Sequence, residues 1–426
     1  MINAIIGAGI FGLPSRVFAQ VGPYSLIAFA ACGLVVMLIV LCFAEVSSRF
    51  DETGGPYLYA REAFGPLVGF EVGWLTWVTR VTAFAANCNL LVEYLGYFLP
   101  AWGAGWRRSV VITLVVVTLT AVNLRGVRNA AMVSNIFTVG KLLPIALFVM
   151  AGLFFLEPGN FATPVAPGFH AFSNSVLLLV YAFTGFEMAT ITSGEVRDPR
   201  RNLPFALLTS IGVVMLLYIL IQVVCIGTLP ALADSRRPLL DAGARFLGGT
   251  GAAVIAGGVL VSIFGNLNVL VLAASRLPFA MAGRGGLLRP LAATHPRFRT
   301  PHVAILVTAA VMLVLTLSGS FVYAVTVSTI ARLLSYTATC AALPLMRRRG
   351  RGHPAHFLVP AGPAVAAAAL LLTGWLLANS TWREARDAGI AAAAGLLVYA
   401  ASRVKQAGVK NDESATSGTG PRPVGR

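Results

Sequence analysis

Charge is what this chain has least of. Only 11% of its 426 residues are Asp, Glu, Lys or Arg, while 57% are hydrophobic and the mean hydropathy is +0.80. A water-soluble domain carries roughly a quarter charged residues, so there is too little polar surface here to face water, and lipid has to be the main solvent. The five histidines (His170, His295, His302, His353, His356) fall in links between apolar runs or at their edges, which excludes a buried histidine relay. Five cysteines (Cys32, Cys42, Cys88, Cys225, Cys340) lie singly in apolar runs without CxxC spacing. That pattern excludes a disulfide framework and a zinc site, and no metal or cofactor is expected. Period-two alternation in segments of about 10 residues is missing too, which excludes barrel strands. No A-x-A-like cleavage region separates the first apolar run from the second, so the first reads as a structural helix rather than a signal peptide.

What remains is a series of long apolar runs, many exceeding the roughly 18 to 20 residues that cross a bilayer. About twelve are read, near residues 2–20, 25–48, 66–98, 109–124, 131–156, 172–194, 203–228, 250–280, 302–317, 320–345, 357–378 and 386–402. The expected fold class is an all-α polytopic membrane protein. The formal charge of +16 resides almost wholly in the links, so it reports topology rather than nucleic-acid binding. With both termini cytoplasmic, inside links and tail hold 21 cations and outside links 8, the bias of the positive-inside rule. Residues 1–402 form the expected membrane domain. Residues 403–426, polar and rich in Gly, Ser and Pro, are expected to be a disordered cytoplasmic tail.

Two of these runs are broken where they should be most regular. The first carries GAGIFGLP from Gly7 to Pro14, the sixth AFTGFE from Ala182 to Glu187, and four runs follow each. Five being odd, the second set enters from the opposite side, an inverted-repeat plan with repeats near 1–156 and 172–345 and two extra helices over 357–402. Gly7, Gly9 and Gly12 weaken a helix by about 1 kcal/mol each, and Pro14 removes a donor. Irregular backbone survives at membrane depth only around a protein-lined cavity, so the breaks imply a site. Unwound N–H groups and a half-helix N-terminus suit a carboxylate, unwound carbonyls suit an ammonium, and a zwitterion matches both. The competing reading is that the glycines serve close helix packing. GAGIFG also satisfies GxGxxG, but no strand precedes it and no acid follows before Glu45, so a dinucleotide site is rejected.

Around the second break, Tyr181, Phe183 and Phe186 can wall a site or simply fill the core. Glu187 can hold the unwound turn through backbone N–H groups or titrate during transport. Lys141 is one of only three lysines and lies eleven residues into the fifth run, roughly 15 Å deep at 1.5 Å per residue. It can couple transport to protons or take the place of a bound sodium ion, or it can snorkel to the cytoplasmic interface. Glu45, Glu71, Arg80, Glu93 and Arg332 also interrupt apolar text, Glu45 and Arg332 reading as paired structural charges. Asn266 and Asn268 can bond across helices or line a pathway.

At these residues the chain resembles the amino acid/polyamine/organocation (APC) transporter family. The resemblance is carried by GAGIFGLP, by FAEVSSRFDETGGPYLYAREAFG from Phe43 to Gly65, by AFTGFEMATITSGEVRDPRRNLP from Ala182 to Pro204, and by NLNVLVLAASRLPFAMAGRGGLL from Asn266 to Leu288. It implies a LeuT-like five-plus-five fold and alternating access. It implies that backbone around Gly7, Ala8, Gly9 and Ile10 receives a substrate carboxylate. It also implies that the carbonyls of Tyr181, Ala182 and Thr184, with Phe183 and Gly185 in the same break, receive its amino group. Lys141 falls where proton-coupled relatives carry a lysine. Family members usually carry a cytoplasmic leader, whereas six residues precede Gly7 here, and a truncated or misassigned start is expected.

The expected function is secondary active transport of amino acids across the plasma membrane, with protons as coupling ion. An exchanger and a polyamine or organic-cation carrier are the alternatives. An intramembrane enzyme would need convergent catalytic groups, and the histidines and cysteines are wrongly placed for it. A channel would not need a closed, saturable midplane site.

Overall fold

A computed structural model describes residues 1–7, 9–52, 54–126, 130–162, 166–191, 193, 196–319, 321–349 and 354–417. Among the described residues there is no strand, and every regular element is helical. In lipid this is forced, because a helix satisfies its own backbone donors and acceptors where no water can. The helices are α1 (Ile2–Ile5), α2 (Gly9–Val21), α3 (Ser25–Ser47), α4 (Pro56–Phe64), α5 (Pro66–Phe98), α6 (Gly105–Arg125), α7 (Ala130–Gly152) and α8 (Phe169–Val180). They continue as α9 (Glu187–Ile191), α10 (Pro199–Thr228), α11 (Pro238–Gly283), α12 (His302–Ser318), α13 (Phe321–Arg349), α14 (Gly362–Ala378) and α15 (Trp382–Ser417). Proline opens α4, α5, α10 and α11, at a position whose N–H has no partner within the helix.

Four helical stretches among the described residues are long and apolar enough to cross a membrane: Gly9–Ser47, Gly105–Arg125, Pro199–Thr228 and Pro238–Gly283. Large apolar side chains such as Leu34, Leu114, Leu143, Phe205, Leu216, Leu371 and Leu397 point outward. Arg80, Lys141, Glu187 and Arg332 point inward, each at most 3% exposed. Such an inside-out arrangement of charge belongs to a protein dissolved in lipid. The bundle is organised around α5, which packs on α11, α12 and α13, while α3 packs on α10.

Several bounds differ from the sequence expectation for local reasons. The sixth run divides into α8 and α9 around the turn at residues 181–186. The eighth starts earlier, since Pro238 nucleates a short helical piece that ends at Gly248, whose φ of 66° breaks the ladder within α11. A short helix, α4, forms in a link between runs. The chain from residue 403, expected to be disordered, continues α15 as far as Ser417. Extending a helix already nucleated fixes one residue per hydrogen bond, so polar text can follow an apolar start.

Two motifs far apart in sequence meet at one end of the bundle. Arg200 makes a two-pronged ion pair with Asp51 at 2.5 Å, Ser193 Oγ donates to the Glu52 carbonyl at 2.6 Å, and Gly54 N–H donates to the Ile191 carbonyl at 3.2 Å. Glu45 is paired as expected: it accepts from Arg49, from Arg347 Nε at 2.6 Å and from the Val359 N–H at 2.9 Å, tying α3 to α13 and to the segment before α14.

Candidate functional site

Helix α1 ends at Ile5, and Gly7 N–H turns back to the Ile5 carbonyl at 2.8 Å before α2 begins at Gly9. Ala8 lies outside the described residues. Because α2 starts here, its first amides have no carbonyl one turn back to bond, and its positive dipole end is presented to whatever lies beyond Gly9.

The second break spans Tyr181 to Phe186. Thr184 Oγ1 donates to the Tyr181 carbonyl at 2.7 Å, closing a tight turn. Gly185 follows with φ of +110°, a conformation L side chains rarely adopt. Its N–H donates to Glu187 Oε2 at 2.9 Å. The other carboxylate oxygen, Oε1, accepts from Arg80 Nη2 at 2.8 Å and from Arg332 Nη1 at 2.6 Å. Glu187 therefore does hold the unwound turn together. Its helix partners come from α5 and α13, so one carboxylate joins three separated stretches of chain.

The two breaks touch one another reciprocally. A Cβ at Gly9 would lie 2.6 Å from the Ala182 Cα, and a Cβ at Gly185 would run into the Ala4 carbonyl oxygen. Each break thus needs a glycine because the backbone of the other occupies the space a side chain would take. Close packing and an unwound site are not rival explanations of these glycines; the geometry uses them for both. Tyr218 on α10 joins the pair: its hydroxyl lies 3.3 Å from the Ile5 carbonyl and 3.1 Å from the Ala182 carbonyl. The rings of Phe29 and Phe183 meet Tyr218 edge-on and fix its position.

Between the breaks lies a cavity of about 430 Å³, counting the space through which it opens to solvent. From the first break it is lined by Ala4, Ile5, Gly7 and Gly9, and from the second by Tyr181, Thr184 and Gly185. Arg80, Asn87, Asn266 and Arg332 supply the remaining polar wall. Of the other expected site residues, Ile10, Ala182 and Phe183 are buried behind it in the packing. The carbonyls of Tyr181 and Ala182, expected to receive an ammonium, already have donors: Tyr181 accepts from the Thr184 hydroxyl and, at 3.3 Å, from the Thr184 N–H, whereas Ala182 accepts from Tyr218 and retains a second lone pair. Lys141 does not snorkel. Its Nζ donates to the Ile6 carbonyl at 2.7 Å, behind the first break, beside a smaller space of about 200 Å³ against Phe11 and Pro144. The two asparagines divide their roles: Asn266 lines the cavity, whereas Asn268 Oδ1 accepts from Asn123 at 3.0 Å across helices.

Sequence reading did not place Tyr218, Asn87 or Arg80 at this site. Asn87 donates to the Tyr181 hydroxyl at 2.7 Å, and Tyr218 has Gln222 one turn on, which donates to Ser25 Oγ at 2.9 Å. Two polar side chains four residues apart in the apolar text of α10 were the available signal, because polar groups in a span face partners.

The arrangement offers hydrogen-bond donors, acceptors and charge around the space between the breaks. A family model described as "Amino acid permease" matches residues 1–393. The chain is similar to the serine/threonine exchanger SteT of Bacillus subtilis (strain 168), 28% identical over 418 residues that cover 96% of this chain and 95% of the relative. It is similar to the methylthioribose transporter of the same organism, 28% identical over 405 residues, 89% and 87% of the two chains. It is also similar to the b(0,+)-type amino acid transporter 1 of Mus musculus, 30% identical over 368 residues, 82% and 74%. These are transporters rather than enzymes, as the sequence led us to expect.

Proposed function

The chain belongs to the amino acid permease family, and from that premise we propose that it is a secondary active transporter carrying amino acids across the plasma membrane by alternating access. One observation carries the reading: both breaks line the same cavity, so a single ligand can touch both. The amide end of α2 at Gly9 supplies partial positive charge for a carboxylate, and unwound carbonyls of the second break supply acceptors for an ammonium, the two halves of an amino acid backbone. The proposed topology has about twelve spans in a five-plus-five inverted repeat plus two, with both termini cytoplasmic.

Proton symport is the coupling we favour, because the Lys141 amine bonds directly to the first break through the Ile6 carbonyl. A proton lost from Nζ weakens that bond and changes how the break is held. Exchange is the second reading, supported by the name of the SteT relative.

In proteoliposomes, uptake of an amino acid should saturate and show counterflow; linear, non-competing flux would instead point to a channel. Lys141→Gln should lose proton-driven uptake while retaining counterflow. Full retention of proton-driven uptake would remove Lys141 from the coupling.

A further inference from the structure

The cavity wall is not electrically neutral. Arg80 and Arg332 both line it, at 1% and 3% exposure, and the carboxylate they bond is Glu187, shared between them through a single oxygen. Among the described residues no acid lines the space itself; Asn87, Thr184 and Asn266 are polar but uncharged. A guanidinium stays charged at any pH the protein meets, so two arginines against one carboxylate leave one positive charge unbalanced at the wall. Both arginines also keep a buried Nε–H that has no hydrogen-bond partner.

Building on the amino acid carrier proposed above, we propose that this cavity selects amino acids whose side chain is anionic, of the carboxylate class, and rejects cationic ones. A zwitterion with a neutral side chain brings no net charge and leaves the wall's excess where it was. A carboxylate side chain cancels that excess and offers acceptors to the free guanidinium donors. A cationic side chain adds a second unbalanced charge in a poorly solvated space, where repulsion is strong.

The experiment compares aspartate and glutamate with their near-isosteric amides asparagine and glutamine, and with lysine and putrescine, as stabilisers of the purified full-length protein and as competitors of uptake. The acids should act at concentrations about tenfold or more below the amides, the size of one charge interaction in a partly desolvated site. Lysine and putrescine should have no effect. Arg332→Gln balances the wall and should erase the acid-over-amide preference, while Arg332→Lys should keep it. Amides equal to acids, or a cation as the best ligand, would overturn the selectivity while leaving the amino acid carrier standing, and so would a preference that survives Arg332→Gln. Silence from every amino acid would defeat the carrier reading itself. The acid-to-amide comparison on the unaltered protein decides the matter even if an arginine variant fails to fold.

Discussion

The two breaks are held in opposite ways. The second carries its own fastening: Thr184 closes the turn, Glu187 bonds the Gly185 N–H, and two arginines from α5 and α13 clamp that carboxylate. The first has small residues and no charged side chain of its own, and is held from outside by Lys141 on α7 and Tyr218 on α10. A segment fastened by a buried ionic network resists rearrangement, while one held by single bonds to other helices can change partners at small cost. In the alternating-access cycle proposed above, the first break would be the part that moves and the second the frame it moves against.

Substitutions can break or sharpen that contrast. The largest effect is expected from Gly185→Ala, which strains a φ of +110° and pushes a methyl group into the Ala4 carbonyl oxygen. Saturable uptake should fall by about a hundredfold or more, roughly 3 kcal/mol. Next comes Glu187→Gln. It leaves two buried guanidinium groups facing each other, and a loss of about 3 kcal/mol in stability should appear as a lowered unfolding midpoint. Tyr218→Phe removes the hydroxyl shared by Ile5 and Ala182, which should cost about 1 kcal/mol and slow uptake severalfold with the fold intact. Gly7→Ala should be the mildest, because the added Cβ would sit an ordinary 3.4 Å from Asn266 Nδ2; uptake should stay within about twofold. If Gly7→Ala proved as damaging as Gly185→Ala, the contrast between an adaptable and a fixed break would fail.

Much of this was legible in the text of the chain, and the limit was sequence separation. Helix bounds such as Ser25–Ser47 and Pro66–Phe98 fall where apolar runs begin and end, because proline, glycine and lipid leave few alternatives. Both breaks were visible, since three glycines in six residues, or a glycine followed by an acid, contradict a regular span. What could not be read was which charges meet. Arg80 and Arg332 are 107 and 145 residues from Glu187, and nothing local marks either as its partner. For the same reason the carboxylate's hold on its own turn was one option among two, and the role of Tyr218 went unnoticed. The prolongation of α15 to Ser417 was missed because polar composition speaks against an isolated helix and says nothing of one already started.

The central claim is that one ligand bridges both breaks. Asn266 lines the cavity beside Gly7, and Thr184 lines it from the second break. All five native cysteines are buried, so single Asn266→Cys and Thr184→Cys variants can be followed by thiol labelling against a low background. The account predicts that a transported amino acid protects both thiols with the same half-protecting concentration. Protection of one thiol alone, or at clearly different concentrations, would contradict a shared site.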